Sequence, residues 1–276
     1  MVLFPNCKIN LGLNIVSKRA DTYHNIETAF YPLNWCDAVE IIPAFDNNVL
    51  SPFVHFTQSG LSIPVKEADN ICLKAYHLLK KDFPAIPAIN MHLHKTIPAG
   101  AGLGGGSSNG AFTLLLINKK FNLNLSAGQL TAYALKLGSD CPFFIFNAPC
   151  YATGRGEEME PLALDLSTYS FLIVYPAIHI NTAWAFSQTT AAHPQKRIKT
   201  IVQQPVETWK EELVNDFELP VFSQYPEIEN VKKNLYANGA LYASLSGSGS
   251  SVYGIFRKNN LPVLKWDKNY TQKAMP

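Results

Sequence analysis

Residues Pro98–Asn109 read PAGAGLGGGSSN, and the helix-forming run GAFTLLLI follows at once. Five of these twelve residues are glycine. Glycine gives up more backbone freedom on folding than any other residue, so such a loop is costly unless backbone must approach something closely. Phosphate is the usual reason, because successive N–H groups running into a helix N-terminus form an anion site. The stretch Gly100–Gly105, GAGLGG, formally fits the dinucleotide fingerprint. That reading also needs an acidic residue about 20 positions on, to hold the ribose. No Asp or Glu occurs between Asp82 and Asp140, which speaks against NAD. A Walker loop is excluded, since no Gly-Lys-Ser or Gly-Lys-Thr ends the run. A merely flexible loop fits poorly beside so well-patterned a helix. A phosphate cradle of another kind is therefore expected, built from Pro98, Ala99, Gly100, Ala101, Gly102, Leu103, Gly104, Gly105, Gly106, Ser107 and Ser108.

The acid-free segment carries Lys95, Lys119, Lys120 and Lys136, and so offers a triphosphate no local repulsion. Asp140, the first carboxylate after it, has two open readings. It can cap a helix starting near Pro142, or it can accept a hydroxyl proton beside the phosphates. The N-terminal stretch KINLGLNIV alternates: Ile9, Leu11, Leu13 and Ile15 share one face, and Lys8, Asn10, Gly12 and Asn14 the other. Lys8 and Asn10 are thus expected to point the same way. AINMHLHK alternates too, so His92 and His94 read as the polar face of a strand, and no metal site is expected.

Asp69 or Asn70 should cap a helix carrying Ile71, Ala75, Leu78 and Leu79. Ser126 should open another that Gly138 closes. YSFLIVYP reads as a buried strand, and NTAWAFSQTTAA, QPVETWKEELVNDF and YPEIENVKKNLYANGA as helices. LYASL and VYGIF read as two strands joined by a second glycine-serine loop, SGSGSS. The mixture predicts an α+β protein with a break near Pro149–Gly156.

The chain has 276 residues, enough for one large domain or two smaller ones. Its net charge of +2 gives no reason to expect nucleic acid or a membrane surface as partner. No apolar run reaches the roughly 18 residues of a membrane helix. The start, MVLFPNCKIN, lacks the form of a signal peptide. Five scattered cysteines without a C-x-x-C pair suggest reduced thiols, hence a cytoplasmic protein.

These residues resemble a known family. PAGAGLGGGSSN is similar to the ATP loop of the GHMP kinases, which act on galactose, homoserine, mevalonate and phosphomevalonate. LSGSGSSVYGIF resembles that family's C-terminal glycine motif, and KINLGLNI its N-terminal strand. DTYHNIET, GSDCPFFI and NDFELPVFSQYPEI point within the family to a kinase of a cytidine diphosphate-linked substrate. The likeness is collinear from Lys8 to about Phe256. It implies a two-domain α+β fold, residues 1–150 carrying the catalytic and ATP elements and residues 151–276 forming a C-terminal domain, with the active site in the cleft between them. It implies ATP-dependent phosphorylation of a tertiary 2-hydroxyl in non-mevalonate isoprenoid biosynthesis. ATP would come with Mg2+ as cosubstrate, no prosthetic group would be needed, and the protein would be a monomer or weak homodimer.

By the same resemblance, Asp140 is the base or hydroxyl-orienting group and Lys8 the cation that stabilises the transferring phosphoryl. Lys95 and the glycine loop bind ATP. Tyr23 and Phe186 sandwich the cytosine, His24 hydrogen-bonds its edge, and Asn10 and Thr182 contact the diphosphate and methylerythritol. Taken without the resemblance, Lys8 reads as a solvated strand lysine, Tyr23 as a half-buried loop aromatic, and Phe186 as a core residue of its helix. Two positions depart from the family pattern: Thr22 where glycine is usual, and Gly110 after Ser-Ser-Asn. Another kinase of the superfamily would keep the glycine loop and Asp140 but not need Tyr23–His24. A non-catalytic nucleotide-binding module would bind ATP without turnover and need neither Lys8 nor Asp140.

Overall fold

A computed structural model describes residues 1–44, 54–63 and 66–275. The chain runs through β1 (Val2–Leu3), β2 (Asn6–Lys18), β3 (His24–Cys36), β4 (Ala38–Pro43) and β5 (Val54–Gly60). It continues through α1 (Ile71–Asp82), β6 (Ile89–Lys95), α2 (Gly105–Lys120), α3 (Ala127–Leu137) and α4 (Cys141–Phe146). Next come β7 (Cys150–Thr153), β8 (Glu158–Pro161), β9 (Tyr169–Tyr175), α5 (Thr182–Ser187), α6 (Ile198–Ile201) and α7 (Trp209–Glu212). It ends with α8 (Glu218–Gln224), α9 (Pro226–Ala237), β10 (Tyr242–Leu245), β11 (Val252–Arg257) and β12 (Thr271–Met275).

The chain divides into two compact units. A single cut after residue 150 does not describe the division: residues 8–33 and 100–103 belong with 148–276, while 1–7, 34–99 and 104–147 form the other unit. The reason lies in strand pairing. Residues of β3 pair antiparallel with β7, and β2, β3, β7 and β8 form one sheet, so the N-terminal strands are claimed by chain that comes much later.

In the first unit the sheet order is β1-β4-β6-β5, with β5 parallel to β6 and the other pairs antiparallel. Ile89, Met91 and Leu93 are buried while Asn90, His92 and His94 look the other way, as alternation requires. Helix α2 packs against α1, α3, α4 and β4. That surround explains its lack of a clean polar face, since a helix covered on most sides is apolar nearly all round. Gly110 gives Ile71 room against it: a Cβ there would lie 2.7 Å from Ile71 Cγ1. Asn70 caps α1 by accepting from the Cys72 N–H at 2.9 Å, and Ser126 with Gln129 forms a capping box on α3, which Gly138 ends.

In the second unit a separate antiparallel sheet, β10-β11-β9-β12, carries the core. Leu172, Val174, Leu245 and Val252 pack there with Val221, Ile228, Val231 and Leu235 of α8 and α9. The stretch Gln204–Phe217 is not one helix. It forms a 3-10 turn and the short α7, then extends so that the Leu13 N–H donates to the Val214 carbonyl at 2.9 Å and the Asp216 N–H donates to the Leu13 carbonyl at 2.8 Å. Strand pairing overrides local helix propensity at that point. NTAWAFSQTTAA is helical only over Thr182–Ser187, and β12 has no counterpart in the sequence reading. None of the five cysteines is in a disulfide. Among the described residues no helix is long and apolar enough to cross a membrane.

Candidate active site

In the first unit the site is the start of α2. Its N-cap is Gly104, at φ 68°, with no side-chain capping bond. The first turn of any helix leaves N–H groups without an intrahelical acceptor, and a side chain from Ser, Thr, Asp or Asn usually supplies one. Here the sequence supplies glycine instead, so no side chain caps the terminus, an arrangement that helix N-termini binding anions share. Gly105 and Gly106 serve different ends. A Cβ on Gly105 would meet Ile97 at 2.9 Å and Lys95 Nζ at 3.0 Å, so this glycine lets the loop lie on the strand end beneath it. A Cβ on Gly106 would meet nothing within 4 Å.

Asp140 occupies the N-cap position of α4, yet its side chain makes no capping bond to that helix. The capping reading therefore loses its observational support. Its neighbour Cys141 is tied to the same place as the glycine loop: burial pushes the Cys141 thiol up to about 12, while a hydrogen bond with the Ser107 side chain opposes the shift. Asp140 is thus one residue away from a direct contact with the first turn of α2. The Ser108 hydroxyl, fully buried in that turn, has no hydrogen-bond partner among the described residues.

Of the lysines in the acid-free segment, Lys95 lies beside Gly105, while Lys119 and Lys120 lie far from the start of α2. Lys119 and Lys120 lie in the last turn of α2, about 20 Å from its start at 1.5 Å per residue, where they complement the carbonyl end of the helix. Lys136 sits over the Tyr133 ring at 5.1 Å, at the end of α3. Lys95 shares the inward face of β6 with Ile89, Met91 and Leu93, is 2% exposed, and pairs with Asp37. Burial lowers its pKa from the ordinary lysine value, and Asp37 opposes that. Asp37, distant in sequence, brings a carboxylate directly under the segment that the sequence reading took as acid-free. Its other donors are the Thr96 and Ile97 N–H groups, at 2.7 and 2.9 Å, and Asn109 Nδ2 at 2.8 Å. Lys95 is therefore committed to Asp37 beside Gly105.

In the second unit the three glycine-rich or alternating motifs meet. The Lys8 N–H donates to the Leu103 carbonyl at 2.9 Å, the Ser251 N–H to the Ala101 carbonyl at 3.1 Å, and Ser246 Oγ to the Gly102 carbonyl at 2.9 Å. Lys8 is 4% exposed rather than solvated; its Nζ donates to Asn10 Oδ1 at 2.6 Å and lies 4.7 Å from the centroid of the Phe30 ring. Alternation correctly placed Lys8 and Asn10 on one face. Gly102 has φ 78°, and a Cβ there would lie 2.0 Å from the Ser246 carbonyl oxygen. Gly102→Ala is accordingly expected to destabilise the fold by at least about 1–2 kcal/mol from the left-handed conformation alone. Urea denaturation measures this, and an unchanged midpoint would show that the two motifs do not hold each other.

Further along this unit, Tyr23 is 56% exposed, with the Arg155 guanidinium 5.2 Å from its ring centroid. The Tyr23 carbonyl accepts from the Arg19 N–H at 2.8 Å, and its own N–H donates to Asp21 at 3.2 Å. Thr22 adopts φ 71°, the left-handed conformation that glycine would take without strain, so the departure from the family pattern leaves the turn itself intact. His24 stacks on Phe186, centroids 4.9 Å apart and planes 11° from parallel, and Phe186 is edge-on to Phe217 at 4.8 Å. One face of Phe186 is therefore covered by His24, a contact the sequence reading did not foresee. Burial lowers the His24 pKa, with Lys18 adding to the shift, which favours the neutral ring with one donor and one acceptor nitrogen. Thr182 Oγ1 lies 3.0 Å from Ser248 Oγ, tethering α5 to the SGSGSS loop.

Comparison with known proteins follows the same outline. The pattern of the GHMP kinases N terminal domain matches residues 70–148, and that of the GHMP kinases C terminal region matches residues 198–265. The chain is 48% identical over 264 residues to a 4-diphosphocytidyl-2-C-methyl-D-erythritol kinase of Azobacteroides pseudotrichonymphae, covering 95% of this chain and 96% of that one. It is 49% identical over 272 residues to the protein of the same name from Bacteroides thetaiotaomicron, covering 98% and 97%. Among solved structures, a 4-(cytidine 5'-diphospho)-2C-methyl-D-erythritol kinase superposes with a TM-score of 0.79 at 29% identity, over 92% of this chain and 90% of that one.

Proposed function

We infer the reaction from one premise: the chain belongs to the GHMP kinases, in the family of 4-diphosphocytidyl-2-C-methyl-D-erythritol kinases. It transfers the terminal phosphoryl of ATP to the 2-hydroxyl of 4-diphosphocytidyl-2-C-methyl-D-erythritol, a step of non-mevalonate isoprenoid biosynthesis. We place it in the cytoplasm, where thiols stay reduced. The observation that supports this most is the uncapped, glycine-led start of α2, a helix that packs against α4, which Asp140 begins.

In this reading the loop's N–H groups and the helix terminus hold the phosphates, and the charge developing on the transferring group meets a dipole already in place. Asp140 accepts or orients the proton of the tertiary hydroxyl, a poor nucleophile otherwise. Lys8, held by Asn10, offsets negative charge on the phosphoryl in flight. Phosphoryl transfer asks the protein for alignment and charge compensation rather than covalent chemistry. Mg2+ enters with ATP as part of the cosubstrate. The partnerless Ser108 hydroxyl at the start of α2 is the protein oxygen that fits a hard cation there.

Gly106→Ala separates packing from phosphate contact. Its Cβ meets no protein atom within 4 Å, so the variant should fold with wild-type stability while its KM for ATP rises. Unchanged ATP kinetics would remove phosphate from that position.

Tyr23, exposed and next to His24, supplies the stacking surface for cytosine, and His24 the hydrogen bonds to its edge. Base–aromatic stacking is worth about 1–3 kcal/mol on truncation. Tyr23→Ala should therefore raise the KM for the cytidine substrate by about one to two decades and leave that for ATP nearly unchanged. Steady-state kinetics varying each substrate in turn checks this. A rise in the ATP constant instead would mean that the two nucleotide sites are exchanged.

A further inference from the structure

One set of hydrogen bonds runs from Lys8 through Asn10 to Thr28 and the Gly12 carbonyl as a directed chain. Lys8 Nζ can only donate, so Asn10 must present its carbonyl oxygen to it, at 2.6 Å. The Asn10 Nδ2 then points the other way and donates to Thr28 Oγ1 at 3.0 Å. Thr28 in turn has one hydroxyl proton, and it goes to the Gly12 carbonyl at 2.6 Å, an oxygen that can only accept. Lys8 sets which end of the Asn10 amide faces it, and the Thr28 oxygen, its own proton committed, holds the other end by accepting from Nδ2. Asn10 is 1% exposed and Thr28 0%, so solvent does not substitute for either partner. The backbone of Asn10 is fixed independently: its carbonyl accepts from Tyr253 Oη at 2.8 Å.

We propose that Thr28 is a positioning residue for phosphoryl transfer: by accepting from the Asn10 amide it keeps the Asn10 oxygen, and so the Lys8 ammonium, in one place. The proposal rests on the reading of Lys8 as the charge-compensating cation. Without the hydroxyl, Asn10 Nδ2 loses its acceptor, the amide is no longer held at that end, and its oxygen shifts together with the ammonium that donates to it. Small displacements of a catalytic group are expensive in phosphoryl transfer, because the acceleration is mostly alignment.

The experiment compares Thr28→Val, which keeps the shape and removes the hydroxyl, with Thr28→Ser, which keeps the hydroxyl and removes a buried methyl. Lys8→Met is measured beside them. Expected are a kcat for Thr28→Val lowered by about 10- to 100-fold, with both KM values little changed, and a kcat for Thr28→Ser close to wild type despite its lower melting temperature. Thr28→Ala carries the same expectation as the valine variant should that one fail to fold. Wild-type kcat in the valine or alanine variant, with Lys8→Met inactive, overturns the role of Thr28 and leaves that of Lys8 standing. Equal losses in the serine and valine variants show a merely structural residue and likewise overturn it. Wild-type turnover in Lys8→Met overturns the reading of Lys8 itself, and the proposal with it.

Discussion

Asp140→Asn is expected to lower kcat by about 10²–10⁴-fold, the usual contribution of a positioned proton acceptor, while ATP still binds. The substitution keeps the side chain's size and shape and removes its charge and basicity, exchanging one acceptor oxygen for a donor. Loss of an N-cap typically costs about 0.5–2 kcal/mol. The Asp140 side chain makes no capping bond to α4, so that cost is not expected in the variant. Single-turnover kinetics with a thermal melt on the same preparation separates the two roles. An Asn variant that turns over at the wild-type rate per folded molecule would remove Asp140 from the chemistry. A large drop in melting temperature with unchanged turnover would restore it as a structural cap.

Asp37→Ala is expected to destabilise the protein by about 3–5 kcal/mol, because it leaves the Lys95 ammonium buried without its counter-charge. It also strips the Thr96 and Ile97 N–H groups of their acceptor just before the glycine loop, and Asn109 of its anchor in α2. The loss measures how firmly the strand end and the helix start are tied together beneath the phosphate site. Asp37→Leu combined with Lys95→Met should lose less than the sum of the two single changes, since the buried charge is gone, though the orphaned N–H groups keep the recovery partial. Urea denaturation of the four proteins gives the cycle. A single-variant loss below about 1 kcal/mol would mean that Lys95 finds solvent or another partner.

The residues that alternation or capping chemistry governs were legible in the sequence. Period-two alternation put Lys8 beside Asn10, and cap residues placed the start of α1 and both ends of α3. What escaped were partnerships between distant positions. Asp37 and Lys95 are 58 residues apart, and no local pattern pairs them. A signal was nevertheless present: Lys95 shares parity with Ile89, Met91 and Leu93, and a lysine on the inward face of a strand requires a buried anion somewhere. Position along the chain does not show that helix geometry carries Lys119 and Lys120 to the far end of α2. The stretch around Asn215 reads as helix by composition, and only its bridge to Leu13 pulls it into extended form. Thr28 is an unremarkable strand threonine until its two hydrogen bonds are traced.

The most direct test of the assignment is phosphoryl transfer itself. The purified protein would be incubated with ATP, Mg2+ and 4-diphosphocytidyl-2-C-methyl-D-erythritol, then with mevalonate and homoserine in turn, and followed by ADP release and phosphorus NMR. The account predicts stoichiometric ADP and a new phosphomonoester on the tertiary carbon of the cytidine substrate, with no comparable product from the other two. Turnover of mevalonate or homoserine at an equal or greater rate, or ADP release without a new phosphomonoester, would contradict it.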